Sequence, residues 1–249
     1  KSEYTLRTIK SLLNGIKFNN EIFKKIDLKI TIVDHNSNKN DLKLIDSILE
    51  KSLIKYEIIN LDVNEFSSVK TLNKNNEIIE GNMKATMASI LKSFKIAKET
   101  ATDLVYFVED DYIHKKEGLG EMIFAYEKFT SELNQELFLC PVDYPYLYKS
   151  AESTNILIGN NYHWRTVKES LLTFMTSKKM IDKHWDRLLK MCEIEHSPFE
   201  IPLHKIYEKE ICLSPIPSLA MHCTNINSVY GLSPNINWKK LWEDNKNLN

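Results

Sequence analysis

Leu104 to Asp111 (Leu-Val-Tyr-Phe-Val-Glu-Asp-Asp) constrains the fold more than any other part of the chain. Five apolar, mostly β-favouring residues lead straight into three consecutive carboxylates. Such a run reads as a buried strand, and open α/β sheets place their ligands at the carboxyl ends of strands. Adjacent acids repel one another, so a cation is their natural partner. Mg²⁺ or Mn²⁺ is typically held by one or two carboxylates, with phosphate oxygens and water completing the octahedron. An acidic surface turn is the simpler alternative, but such a turn needs no buried strand to present it. The apolar approach therefore favours metal–phosphate chemistry.

Of the 249 residues, 43% are hydrophobic and 27% charged, the composition of a soluble globular chain. A net charge of -1 lacks the basic footprint of a general nucleic-acid binder. No apolar run approaches the ~20 residues of a membrane span, and the opening Lys-Ser-Glu-Tyr is not a signal peptide. Cys140, Cys192, Cys212 and Cys223 form no Cys-x-x-Cys pair, which suggests core positions in a reducing cytosol. The six glycines assemble neither a dinucleotide fingerprint nor a P-loop. Any bound phosphate must then be met by metal and side chains.

Hydrophobic spacing predicts a helix over Tyr4–Ile16, a strand over Leu28–Val33, and a helix capped by Asp41 with Leu42, Ile45, Ile48 and Leu49 inward. A strand over Tyr56–Leu61, a polar loop from Asp62 to Gly81, a helix over Asn82–Lys98 and the strand Leu104–Val108 follow. This alternation is that of a mostly parallel sheet. Beyond the acids the pattern predicts a helix over Leu119–Leu133 and short strands at Leu137–Cys140, Asn155–Ile158 and Ser170–Thr176. Helices over Ser177–Cys192 and Pro198–Lys209 precede a strand at Ile211–Ser214, and the Asn-rich tail from Asn225 shows little periodicity. No repeat or linker divides the chain, so one domain over 1–249 is expected.

Five segments, in this order, resemble the GT-A glycosyltransferases, in particular the large family-2-type group. Val33-Asp34-His35-Asn36-Ser37 is similar to that group's nucleotide-contacting turn. Gly81-Asn82 opens a helix before the metal strand, and Phe107-Val108-Glu109-Asp110-Asp111 looks like the Asp-x-Asp motif with Glu in first place. Phe199-Glu200 resembles the element that carries the base of inverting members, although Ile201 stands where a second acid is usual. Met221-His222 falls where many such enzymes supply a late metal-ligating histidine. No Gln-x-x-Arg-Trp signature occurs, which argues against a processive synthase.

The resemblance implies a Rossmann-like GT-A fold, with a nucleotide-sugar half over residues 1–113 and an acceptor half over 114–249. Asp111, with Glu109 and His222, would ligate Mn²⁺ or Mg²⁺ bridging the diphosphate of the donor, most simply a UDP-sugar. Asp34, Asn36, Gly81, Asn82, Glu109 and Asp110 would line the nucleotide. Glu200, with Asp143 in reserve, would take the proton of the acceptor hydroxyl. Each has a plainer reading: a turn aspartate at Asp34, a turn glycine at Gly81, a buried histidine at His222, a helix-dipole acid at Glu200. Tyr144, Tyr146, Tyr148, Tyr162 and Trp164 suit sugar faces or the core, about half each way. The acceptor would be a glycan or a lipid-linked glycan at the cytosolic face, and peripheral membrane attachment near Trp238 and Trp242 stays open. A sugar-nucleotide pyrophosphorylase, a non-catalytic glycan-binding domain and a metal-dependent phosphoesterase are the competing readings.

Overall fold

The computed structural model describes residues 2–66, 77, 82–193, 200–224 and 226–247. The first half follows the alternating pattern. The amphipathic helix α1 (Ser2–Phe18) and the short α2 (Asn20–Phe23) precede strand β1 (Lys29–Asp34), helix α3 (Lys39–Ser52) and strand β2 (Lys55–Asn60). β1 and β2 pair in parallel, with Asp34 opposite Asn60. Ile9 and Leu13 of α1 bury against Ile45, Ile48 and Leu49 of α3, at the helical spacing the sequence shows. The cap of α3 is Asn38 rather than Asp41: its side chain accepts the Asn40 N–H at 2.8 Å. A 3₁₀ turn at Val63–Phe66 opens the predicted polar loop, the rest of which lies outside the described residues apart from Glu77. α4 (Asn82–Thr100) then leads into β3 (Leu104–Phe107).

After the acids come β4 (Tyr112–His114), α5 (Gly118–Leu133), β5 (Phe138–Leu139), β6 (Ile156–Ile158), β7 (His163–Thr166) and β8 (Phe174–Ser177). Helices α6 (Lys178–Lys183), α7 (Trp185–Glu193) and α8 (Ile201–Tyr207) precede β9 (Cys212–Ile216), β10 (Ala220–His222) and α9 (Trp238–Asp244). Six strands form the central sheet in the order β3-β8-β5-β9-β7-β6, and only β5 and β9 are parallel neighbours. The expected mostly parallel sheet is thus corrected to a mostly antiparallel one. Parallel neighbours need a crossover of a dozen or more residues. The second half instead folds back on itself, as where residues 159–162 alone join β6 to β7.

Both faces are covered at the sheet's centre, over β5, β8 and β9, while the edge strand β6 leaves Ile156 and Ile158 exposed. Phe138, Phe174 and Cys212 pack toward α4 and α6 to α8, while their neighbours Leu139, Met175 and Leu213 pack toward α5. Period-two alternation decides that split. The predicted helix over Ser177–Cys192 is broken at His184 into α6 and α7. β7 falls where the pattern predicts no strand, and α9 lies in the tail of little periodicity. α9 is short, and Asn237 caps it by accepting the Lys240 N–H at 3.0 Å. Among the described residues no helix is long and apolar enough to cross a membrane.

One buried carboxylate holds the β6–β7 turn. Glu121 of α5, 4% exposed, accepts the backbone N–H of Asn160 and of Asn161, each at 3.0 Å, and the Trp164 indole N–H at 3.3 Å. Gly159 is required there, because a Cβ would stand 2.4 Å from the Glu121 Oε1 and 2.6 Å from the Trp164 Nε1.

Candidate functional site

The carboxyl end of β3 is held open by β8. Phe107 pairs with Phe174, and just beyond them the Glu109 N–H donates to Thr173 Oγ1 at 3.0 Å. The same hydroxyl donates back to the Glu109 carboxylate at 3.3 Å. The backbone then turns into the small β4–β10 ladder, whose register sets Tyr112 opposite His222. Their rings stack with centroids 4.9 Å apart. That ladder runs on for one bond, Cys223 N–H to the Asp111 carbonyl at 2.9 Å, and so carries His222 onto the Asp111 side chain.

Asp111 Oδ2 lies 3.1 Å from His222 Nε2 and also accepts the Thr224 N–H at 3.2 Å. The other imidazole nitrogen, Nδ1, donates to the Tyr230 carbonyl at 2.9 Å. With Nδ1–H given to a carbonyl, Nε2 faces Asp111: the charged imidazole donates to the carboxylate there, and the neutral one would offer a lone pair to a cation. Two cis ligands of an octahedral ion with bonds of 2.0–2.1 Å stand about 3.0 Å apart. The Asp111–His222 spacing and donor set therefore fit a divalent cation. Among the described residues no three His, Cys, Asp or Glu side chains form a complete metal group. A hard cation that keeps water and phosphate oxygens as ligands needs no such group.

Burial by itself would raise the Asp111 carboxyl, but the hydrogen bond and charge of His222 and the Thr224 donor outweigh it and hold it below the usual range. Reciprocally, Asp111 raises His222 against the opposing effect of burial. Glu109 keeps some surface as a residue, yet its carboxyl is enclosed by protein atoms. Burial pushes it up to about 8, helped by the negative charges of Asp111 and Glu200. Glu200, 4% exposed, is pushed up to about 7, again by burial, with its own backbone N–H and His222 opposing. It stands at the N-terminus of α8 and makes no side-chain capping bond there, a position that also suits an acid complementing the helix dipole. Three acids and one imidazole are thus within electrostatic reach of one another, two of the acids holding protons near neutrality.

The other expected residues are placed as follows. Asp110 turns the opposite way, its carboxylate accepting Thr5 Oγ1 and its carbonyl accepting Thr8 Oγ1 of α1, both at 3.1 Å. Asp34, 8% exposed, ends β1 and accepts the Ser37 N–H at 3.3 Å, so it does serve as a turn aspartate. Asn36 adopts φ 55° in that turn. Val33 beside it and Phe107 both pack against the core cluster that includes α4. Gly81 and Phe199 lie outside the described residues, as does the Asn82 side chain.

Asp143 is not brought into the group. Its carboxylate is 1% exposed, ion-paired with Arg165 and hydrogen-bonded by the Tyr148 hydroxyl. Burial raises it even so, with Tyr148 and Arg165 only partly offsetting the effect. Of the five aromatics singled out, Tyr144 and Trp164 are fully buried, Tyr146 and Tyr162 half-buried and Tyr148 exposed. The residues that brace the site, Thr173, Thr224 and Tyr230, carried no signal in the sequence, since two act through backbone groups and the third is a threonine far from any motif. No family model matches the chain, and no curated protein matches it.

Proposed function

We propose that the chain is a metal-dependent glycosyltransferase that moves a sugar from a nucleotide-diphosphate donor, a UDP-sugar by preference, to a hydroxyl of a glycan or lipid-linked acceptor. The observation that carries this reading is the Asp111–His222 pair, 3.1 Å apart between the half-buried strand β3 and the buried strand β4, with the protonatable Glu200 nearby. Asp111 and His222 would hold Mn²⁺ or Mg²⁺, and a cation there supplies the positive charge that a departing diphosphate requires. Asp34 and Asn36 at the end of β1 would meet the nucleoside.

Glu200 takes the role of general base. Transfer forms a bond between the acceptor oxygen and the anomeric carbon as the bond from that carbon to the diphosphate oxygen breaks. The acceptor proton leaves to the Glu200 carboxylate. A base is most effective when its pKa lies near the working pH, and burial has moved Glu200 from the ordinary carboxylate range to about 7. Asp143 suits that role less well, because Arg165 and Tyr148 occupy its oxygens.

The test is calorimetric titration of UDP, GDP and CMP, with and without Mn²⁺, into the wild type and Asp111→Asn. Tight binding of one nucleotide that requires Mn²⁺ and is lost in the variant supports the reading and selects the donor. A folded wild type that binds none of the three overturns it.

A further inference from the structure

A second feature of the molecule lies away from the acidic group. A cleft of about 560 Å³ opens between the segment from Leu147 to Thr154, the strand β7 with its continuation to Lys168, and the end of α8 with residues 210–212. That volume falls within the range of small-molecule sites. Its wall carries Arg165, Lys149 and Lys168, the two lysines exposed. Of the two acids on the wall, Glu210 is already matched by Lys183 at 2.8 Å and by His184 at 2.8 Å. Glu152, exposed, is the other.

Arg165 is held as a built ligand group would be. Asp143 behind it pairs with one terminal guanidinium nitrogen, and the guanidinium lies over the Tyr148 ring, 4.5 Å from its centroid. Tyr148 is itself tied down by donating to Asp143. Ion pair and stacking together fix the plane of the guanidinium and so reduce the entropy lost when it binds. Its Nε is buried and has no hydrogen-bond partner among the described residues. On the same wall Thr154 and Thr166 bring their hydroxyls to 3.0 Å, Thr154 also donating to the Thr166 carbonyl at 2.8 Å and Thr166 accepting the Asn155 N–H at 3.0 Å.

We propose that this cleft binds the anionic group of a sugar, a carboxylate or a phosphate, with Arg165 as the oriented donor and Lys149 and Lys168 as the flanking cations. A planar guanidinium suits two-oxygen anions, and lysines act on them as point charges. The wall's polar side chains, Ser150, Ser153, Thr154 and Thr166, would lie beside the polyhydroxylated body to which the anion is attached. The inference stands independently of the transferase reading, since it concerns different residues.

The experiment titrates digalacturonate, glucose 6-phosphate and the neutral disaccharide maltose into the wild type and into Lys149→Glu/Lys168→Glu. Arg165→Lys serves as a second variant, because it keeps the charge beside Asp143 while removing the planar fork. The expected result is that one or both acidic sugars bind, at least tenfold more tightly than maltose, and lose at least tenfold in each variant. Preference between the two acidic probes identifies the source of the anion. Failure of both acidic probes, equal binding of maltose, or unchanged affinity in the double lysine variant overturns the proposal. Mn²⁺-dependent nucleotide binding, measured on the same samples, stays unchanged in the lysine variant, so failure here and failure of the transferase reading are told apart.

Discussion

His114 offers a sharp test of how the core beside the candidate site is built. It is fully buried in β4, in register with Ala220 of β10. Its Nδ1 lies 3.5 Å from Ser11 Oγ, and its Nε2 lies 2.5 Å from the Tyr106 hydroxyl. Ser11 already donates to the Thr8 carbonyl, so the ring is neutral with Nδ1–H directed at Ser11 and Nε2 accepting from Tyr106. A second proton would have to sit against that hydroxyl, out of reach of water. Burial accordingly lowers His114 from 6.5 to about 4, with the Tyr112 backbone opposing only weakly.

The sign follows from proton binding. Between about pH 6.5 and 4 the unfolded chain binds a proton at His114 and the folded chain does not, so stability is full above the unfolded value and falls as the pH drops. At 1.36 kcal/mol per pH unit, the gap between 6.5 and about 4 amounts to about 3.4 kcal/mol once the pH is below both values, and to about 2 kcal/mol by pH 5. Glu109 and Glu200 act the other way: both are raised in the fold, so their contribution is greatest in acid and shrinks as pH rises toward about 8 and about 7. Comparison with His114→Gln removes them, because they titrate in both proteins. Gln still offers Tyr106 an acceptor but binds no proton. Urea unfolding of both proteins at pH 7.5 and pH 5.0 should show the stability gap in favour of wild type shrinking by about 2 kcal/mol on acidification. A gap that is the same at both pH values would refute the neutral, buried assignment of His114.

Other substitutions probe the scaffold and the chemistry. Glu121→Ala leaves two backbone N–H groups and an indole N–H without their acceptor in a buried turn, and should cost about 3–5 kcal/mol in urea unfolding. Gly159→Ala drives a methyl against that same carboxylate and should cost about 1–3 kcal/mol; in the Glu121→Ala background the penalty should shrink, because the nearest of the three obstructing atoms is gone while the two on Trp164 remain. Leu53, 93% exposed with φ 59° at the end of α3, carries left-handed strain and no burial, so Leu53→Gly should raise stability by about 1 kcal/mol, read as a higher urea midpoint. Glu200→Gln should retain Mn²⁺-dependent nucleotide binding and lose transfer by at least a hundredfold; the wild-type rate should rise with pH through about 7, as the carboxyl loses its proton, and a rate independent of pH from 5 to 8 would remove Glu200 as the base.

Much of the first half was legible because its signals are local. Apolar periodicity located α1, α3, α4 and β1 to β3, and the collision of an apolar run with three acids marked the end of β3 as the place to look. Strand direction was not legible in the same way. Phe138-Leu139 and Phe174-Met175 read identically whether their neighbours run parallel or antiparallel, since period-two alternation reports which face is buried and nothing about pairing. Direction was decided by connections, such as the four-residue turn that Glu121 clamps, and that clamp depends on a carboxylate about forty positions away in sequence. The site divides along the same line. Asp111 could be singled out from its own neighbours, but its pairing with His222 rests on the Tyr112–His222 register of a three-residue ladder joining segments more than a hundred positions apart. Asp143 shows the converse: its local setting, a carboxylate just past a strand, resembles that of Asp111, yet Arg165 from β7 arrives to neutralise it. The difference between an acid that can meet a cation and one that is already paired is a tertiary property. It is set by which basic group the sheet order delivers, and residues on either side of the acid in the chain do not encode it.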